Sequence, residues 1–173
     1  DRDLEYEKKI QLQPHIVYLS NTGSVKVGVT KKTQIPTRWI DQGAHEALPI
    51  VEVPNRYLAG IAEVALKEHV SDKTNWRNML KNQNIDVDLK AWQNKLEPYL
   101  PNQVKSFLYV GEETHLEFPV LAHPIKPNSL NLIKTPNYQG VLKGIKGQYL
   151  IFQDQTVFNV RSNEGLVVAM TLD

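Results

Sequence analysis

The first third of the chain is written in short alternating and β-branched runs. Residues 16–20 (IVYLS) are dense in β-branched and aromatic side chains, and residues 25–29 (VKVGV) place Val25, Val27 and Val29 on one strand face and Lys26 and Gly28 on the other. Asn21, Thr22 and Gly23 between them are turn formers, so the two runs predict a β-hairpin. Residues 4–13 alternate more loosely and predict an edge strand leading in. Beyond a polar connection at 31–34, Pro36 and Thr37 predict the start of a helix of about three turns over 38–47. Residues 48–53 (LPIVEV) predict a third, short strand.

Asn55 is a natural N-cap for the next helix, on which Leu58, Ala62, Ala65 and His69 share an apolar face while Arg56, Glu63 and Lys67 form a narrow polar stripe opposite. Asp72 predicts the cap of a helix over 73–81, with Lys73, Arg77 and Lys81 aligned at successive turns, and Asp88 the cap of another ending before Pro98. Residues 106–110 form a candidate strand. Four prolines between Pro119 and Pro136 predict an irregular wrapping segment, after which short β-patterned runs at 141–145, 148–152, 156–160 and 166–172 predict a small all-β unit. The division expected is a helix-and-sheet core over 1–118 and a linker with the β unit over 119–173.

Composition narrows the chemistry. The 173 residues hold no cysteine, which excludes structural disulfides and zinc–thiolate sites within the chain. Lysine and arginine number 20 against 19 acids, so no chain-wide basic field exists and any nucleic-acid contact must come from local clusters. No run approaches the roughly 20 apolar residues of a membrane span, and a cytoplasmic location is expected. Walker, GxSxG, dinucleotide-binding and HExxH patterns are all missing.

Several polar residues sit against local preference. Lys26 interrupts a valine-rich strand: a solvated sheet face explains it, as does phosphate binding or, with a depressed pKa, base chemistry. Tyr18 is either a packing residue or a phenol aimed at phosphate or water. Arg38 opens a helix, where the macrodipole disfavours a cation, so a structural ion pair and an anion site both remain open. Glu63 is the one carboxylate in an apolar run, either paired along the helix with Lys67 or free to hold a divalent cation. His69 is either a satisfied core histidine or a catalytic one. The basic stripe around Trp76 is either a solvated face or a surface for a nucleic-acid backbone.

VYL at 17–19, VKVGVT at 25–30, RWIDQ at 38–42 and Glu63 within AGIAEVALKEH resemble, in order and spacing, the core of the GIY-YIG endonucleases. The longer strings RWIDQGAHEA, NRYLAGIAEVALKEHVSDKTNWRNML and GIKGQYLIF are similar to a bacterial family of uncharacterised proteins built on such a core. The resemblance implies an α+β fold: a small antiparallel sheet flanked by helices, here followed by the C-terminal all-β unit. It implies that Tyr18 orients or activates a water, that Arg38 stabilises charge on a scissile phosphate, and that Glu63 holds Mg²⁺ or Mn²⁺. Lys26 stands where that family has its second tyrosine, and Gln42 where many members have histidine. The expected catalytic set is Tyr18, Lys26, Arg38 and Glu63, with Lys31, Lys32, Arg56, Lys73 and Arg77 contacting nucleic acid, DNA ahead of RNA. The alternative is a catalytically degenerate nucleic-acid-binding module.

Overall fold

A computed structural model describes residues 2–83 and 86–173, apart from the side chain of Arg2. In chain order the elements are α1 (Arg2–Gln11), β1 (His15–Asn21), β2 (Val25–Lys31), α2 (Thr37–Asp41), β3 (Glu46–Val53), α3 (Arg56–Leu66), α4 (Trp76–Leu80), α5 (Leu89–Leu96), α6 (Asn102–Lys105), β4 (Thr114–His115), β5 (Asn128–Ser129), β6 (Leu142–Lys146), β7 (Tyr149–Phe152) and β8 (Thr156–Asn159). The fold is α+β, with an antiparallel sheet in the order β2-β1-β3-β4 and a second, mixed sheet in the order β5-β8-β7-β6.

The hairpin forms as its pattern predicts, and its register sets everything that follows. Tyr18 pairs with Gly28 and Ser20 with Lys26, so these four share one face of the first sheet. Across β3, Ser20 also pairs with Ala47. The other face carries Val17, Leu19 and Val27 against Ala59, Ala62 and Leu66 of α3, the largest apolar core of the molecule. Asn55 caps α3 by accepting from Leu58 N–H at 3.0 Å, and Asp88 caps α5 by accepting from Ala91 N–H at 3.0 Å. A smaller core of Ile16, Tyr18, Trp39, Ala44 and Ala47 covers the first face. A third joins Met79 and Leu80 of α4 to Ile151 and Val157 of the second sheet.

Six local expectations are corrected. Residues 4–13 lie mostly within helix α1, not a strand: Asp3 and Glu5 in its first turn and Lys8 and Lys9 in its last complement the helix dipole. The helix expected over 38–47 is only α2, because Gly43 adopts a left-handed φ of +68° and pairing with β1 claims Glu46 and Ala47 for β3. Asn75, not Asp72, caps α4, which leaves Lys73 outside the helix. The preceding segment is held at the sheet edge, where Val27 N–H donates to Ser71 O at 2.8 Å. His69 lies past the end of α3 and stacks on Tyr99, ring centroids 3.6 Å apart. Residues 166–172 form no strand, because the outer edge of β6 is already taken: Leu121 N–H donates to Lys143 O and Ile145 N–H to Pro119 O. Residues 106–110 form no regular strand either, yet Tyr109 N–H and Phe107 O bond the backbone of β3 at Ile50 and Glu52. The wrapping segment is irregular except for β5, which adds a parallel strand to the β6-β7-β8 meander.

Candidate active site

The Tyr18 ring lies flat across the strand below it. A Cβ built on Gly28 would stand 2.5 Å from the Tyr18 Cζ and hydroxyl oxygen, so only glycine leaves room for this ring. Tyr18 is fully buried, packs edge-on against Trp39 at 5.8 Å, and donates its hydroxyl hydrogen to Gln42 Oε1 at 2.8 Å. Burial pushes the phenol pKa up, while the Arg38 charge and the Gln42 and Arg38 hydrogen bonds pull the other way. The phenol therefore stays neutral and is committed to positioning α2, whose Arg38 stands exposed beside it.

Lys26 lies on the same face, 5 % exposed. Among the described residues it has neither a hydrogen-bond acceptor nor an ion pair, and burial and the Arg38 charge lower its pKa to about 8 against the opposing pull of Asp72 and Glu63. Two more donors nearby in the fold lack acceptors: the hydroxyl of Ser20, cross-strand from Lys26, and the indole N–H of Trp39, the residue after Arg38. The Lys26 ammonium, which makes no hydrogen bond within the described protein and so is left to solvent, stands with the buried, acceptorless Ser20 hydroxyl and Trp39 indole N–H on a donor-rich face beside Arg38.

Tyr18, Lys26 and Arg38 come together. Glu63 does not join them at hydrogen-bond distance. It sits on α3, which packs under the opposite sheet face, and bonds Arg56 Nη2 at 3.4 Å rather than pairing with Lys67. Its charge nonetheless acts on both Lys26 and Tyr18. One partly exposed carboxylate in a weak surface pair offers a single exchangeable oxygen to a hard cation, with water completing the shell.

The cations expected to grip nucleic acid divide. Lys32 is engaged by Glu52 at 2.5 Å and Arg56 by Glu63. Arg77 covers one face of the Trp76 ring at 4.3 Å, and Tyr149 of β7 stacks on that ring at 5.6 Å, so the tryptophan bridges α4 to the second sheet. Lys31 and Lys73 stand in no ion pair among the described residues.

A second buried lysine was not singled out in the sequence. Lys146, 1 % exposed on β6, donates to Met79 O at 2.7 Å and meets His45 Nε2 at 3.0 Å. Burial lowers its pKa to about 8; burial and the Lys146 charge in turn lower His45 to about 4 and also depress His123. Asp72 and Ser20 were likewise missed. Ser20 could have been found from the hairpin register alone, since it lies two residues from Tyr18 and opposite Lys26.

Comparison with curated proteins and with solved structures yields no match. A family model described as "Protein of unknown function (DUF2797)" matches residues 1–168. With all but its last few residues spanned by that model, the chain belongs to the DUF2797 family.

Proposed function

We propose that the Lys26 face is a phosphodiester site and that the protein is a metal-dependent nuclease on a GIY-YIG-like core. The observation that carries this reading is Lys26 itself: a side chain only 5 % exposed, with no acceptor among the described residues and its ammonium left to solvent, beside Arg38 and opposite an unpartnered serine. A phosphate oxygen supplies the missing acceptor and charge together. Arg38 stabilises the charge developing on the phosphoryl oxygens, and Tyr18, through Gln42, holds the helix that carries it. A pKa of about 8 leaves Lys26 partly neutral at neutral pH, so it can take a proton from the attacking water. The new P–O bond forms as the bond to the leaving oxygen breaks, and that oxygen takes a proton from solvent. Mg²⁺ or Mn²⁺ held through Glu63 would supply further charge at the phosphate.

The binding-module reading rests on a different observation. Tyr18 is enclosed and Glu63 is paired with Arg56, so the two side chains most tied to cleavage in the resemblance are both occupied. Cleavage of branched, nicked and linear DNA with Mn²⁺, by wild type, Lys26→Met and Glu63→Ala, separates the two. The nuclease reading expects cleavage by wild type alone. Equal residual cleavage in all three rejects it, and DNA affinity lost only in Lys26→Met then supports the binder.

A further inference from the structure

On the sheet face opposite Lys26, a second set of polar side chains converges. Glu46 opens β3 and pairs cross-strand with His115 of β4, while Glu113, two residues before His115, projects to the same side. One ligand atom from each of Glu46, Glu113 and His115 lies within 4.8 Å of the other two. Glu46 Oε2 stands 3.8 Å from His115 Nδ1, and Glu113 Oε1 stands 3.4 Å from His115 Nε2. Asn21, buried at the end of β1, fixes the other Glu46 oxygen by donating from Nδ2 at 3.1 Å.

The charges at this place do not balance. Two carboxylates, at most partly exposed, converge on one imidazole, and among the described residues no lysine or arginine comes within ion-pair distance of either. Lys90 acts on Glu113 only at longer range. Burial and the hydrogen bond and charge of Glu46 raise the Glu113 pKa, so at low pH the two carboxylates share a proton. A cation between them takes that proton's place once it is lost, and the strand pair already holds them in one orientation. The imidazole changes the character of the set: hard Mg²⁺ and Ca²⁺ prefer all-oxygen shells, whereas one nitrogen with two carboxylate oxygens suits a first-row transition ion with open positions. His115 is 72 % exposed, so the ring can turn to aim either nitrogen and an ion can enter from solvent.

We propose that Glu46, Glu113 and His115 bind one divalent transition-metal ion, Zn²⁺ or Mn²⁺, at a site separate from the Lys26 face. The ion ties β4 to β3 at the edge of the first sheet and leaves coordination positions to water. The site is independent of Glu63 and of any nuclease activity.

Isothermal titration with ZnCl₂ and with MnCl₂ on the full chain tests this, with circular dichroism as the folding check for each variant. Wild type and Glu68→Gln, whose exposed carboxylate belongs to neither site, should each bind Zn²⁺ saturably and gain thermal stability with the ion, since an ion that binds only the folded state stabilises it. Glu113→Gln and His115→Ala, both near the surface, should each weaken binding by at least about tenfold while folding normally. The proposal is overturned by absence of saturable binding in wild type, by wild-type affinity in Glu113→Gln and His115→Ala, or by loss in Glu63→Gln alone, which would place the ion on α3.

Discussion

Two lysines are buried here, and they are buried differently. Lys26 and Lys146 both have their pKa lowered to about 8 by the removal of water. Lys146 has its hydrogen bonds made, to Met79 O and His45, and for it burial is the sole cause of the shift. Lys26 has none among the described residues, yet charges crowd it: Arg38 on one side, Asp72 and Glu63 on the other. A satisfied buried lysine is a fastener, here joining the second sheet to α4 and to the loop before β3. One that makes no hydrogen bond within the described protein and lies in a field of mixed charges is open to an anion from outside.

Substitution should separate the two sharply. Lys26→Met should lower phosphodiester cleavage by about 100-fold or more, the usual range for losing a proton acceptor, with no loss of stability in urea, because it removes a buried charge without orphaning a partner. Lys146→Met should do the reverse. It leaves Met79 O and His45 without their partner, costing about 2–4 kcal/mol of unfolding free energy, and any loss of activity should follow the folded fraction. Were Lys26→Met the more destabilising of the pair, the contrast would collapse.

A smaller effect is expected at Gly28. Gly28→Ala puts a methyl group 2.5 Å from the Tyr18 ring, forcing the ring aside at a cost of about 1–3 kcal/mol. The Tyr18–Gln42 bond that steadies α2 should go with it, so activity should fall further than stability accounts for. Measuring kcat beside the urea midpoint checks this, and a fall in stability alone would detach Tyr18 from the site.

The pH dependence is finer still. A lysine with a folded pKa near 8 and an ordinary value of 10.5 binds more protons unfolded than folded between those values, so its contribution to stability rises with pH across that window. Lys26→Met should remove one share of that rise in pH-dependent urea melts and leave the Lys146 share. Function should show a more telling split. Cleavage that needs neutral Lys26 should rise with pH and level off above about 8, whereas anion affinity that needs the ammonium should fall above the same point. A cleavage profile and a binding profile of the same shape would contradict the dual role.

What the sequence made legible follows from the range of the forces involved. The hairpin, its faces and the Asn55 and Asp88 caps depend on residues a few positions apart and were readable directly. Local alternation misled at 4–13, where helix-forming Leu, Glu and Lys outweighed a weak two-residue period, and at 166–172, where a β pattern had no free edge to join. Tyr18, Lys26 and Arg38 were singled out because each is odd where it stands. Glu63 stands out too, but of its two readings, a pair with Lys67 or a free carboxylate, the fold supplies neither outright: it pairs with Arg56. Lys146 and His45 lie 101 positions apart, and Glu46 meets Glu113 and His115 only through the β3–β4 pairing, so no local pattern marks either cluster.

The central claim is that the unpartnered lysine on the hairpin is a phosphodiester site, and a DNA-binding isotherm tests it most directly. Affinity of a short DNA for wild type, Lys26→Met and Lys105→Met, measured by fluorescence anisotropy below pH 8, should fall by about tenfold or more in Lys26→Met alone, the loss of one charge-assisted contact. Equal affinity of wild type and Lys26→Met, with both folded, would contradict it.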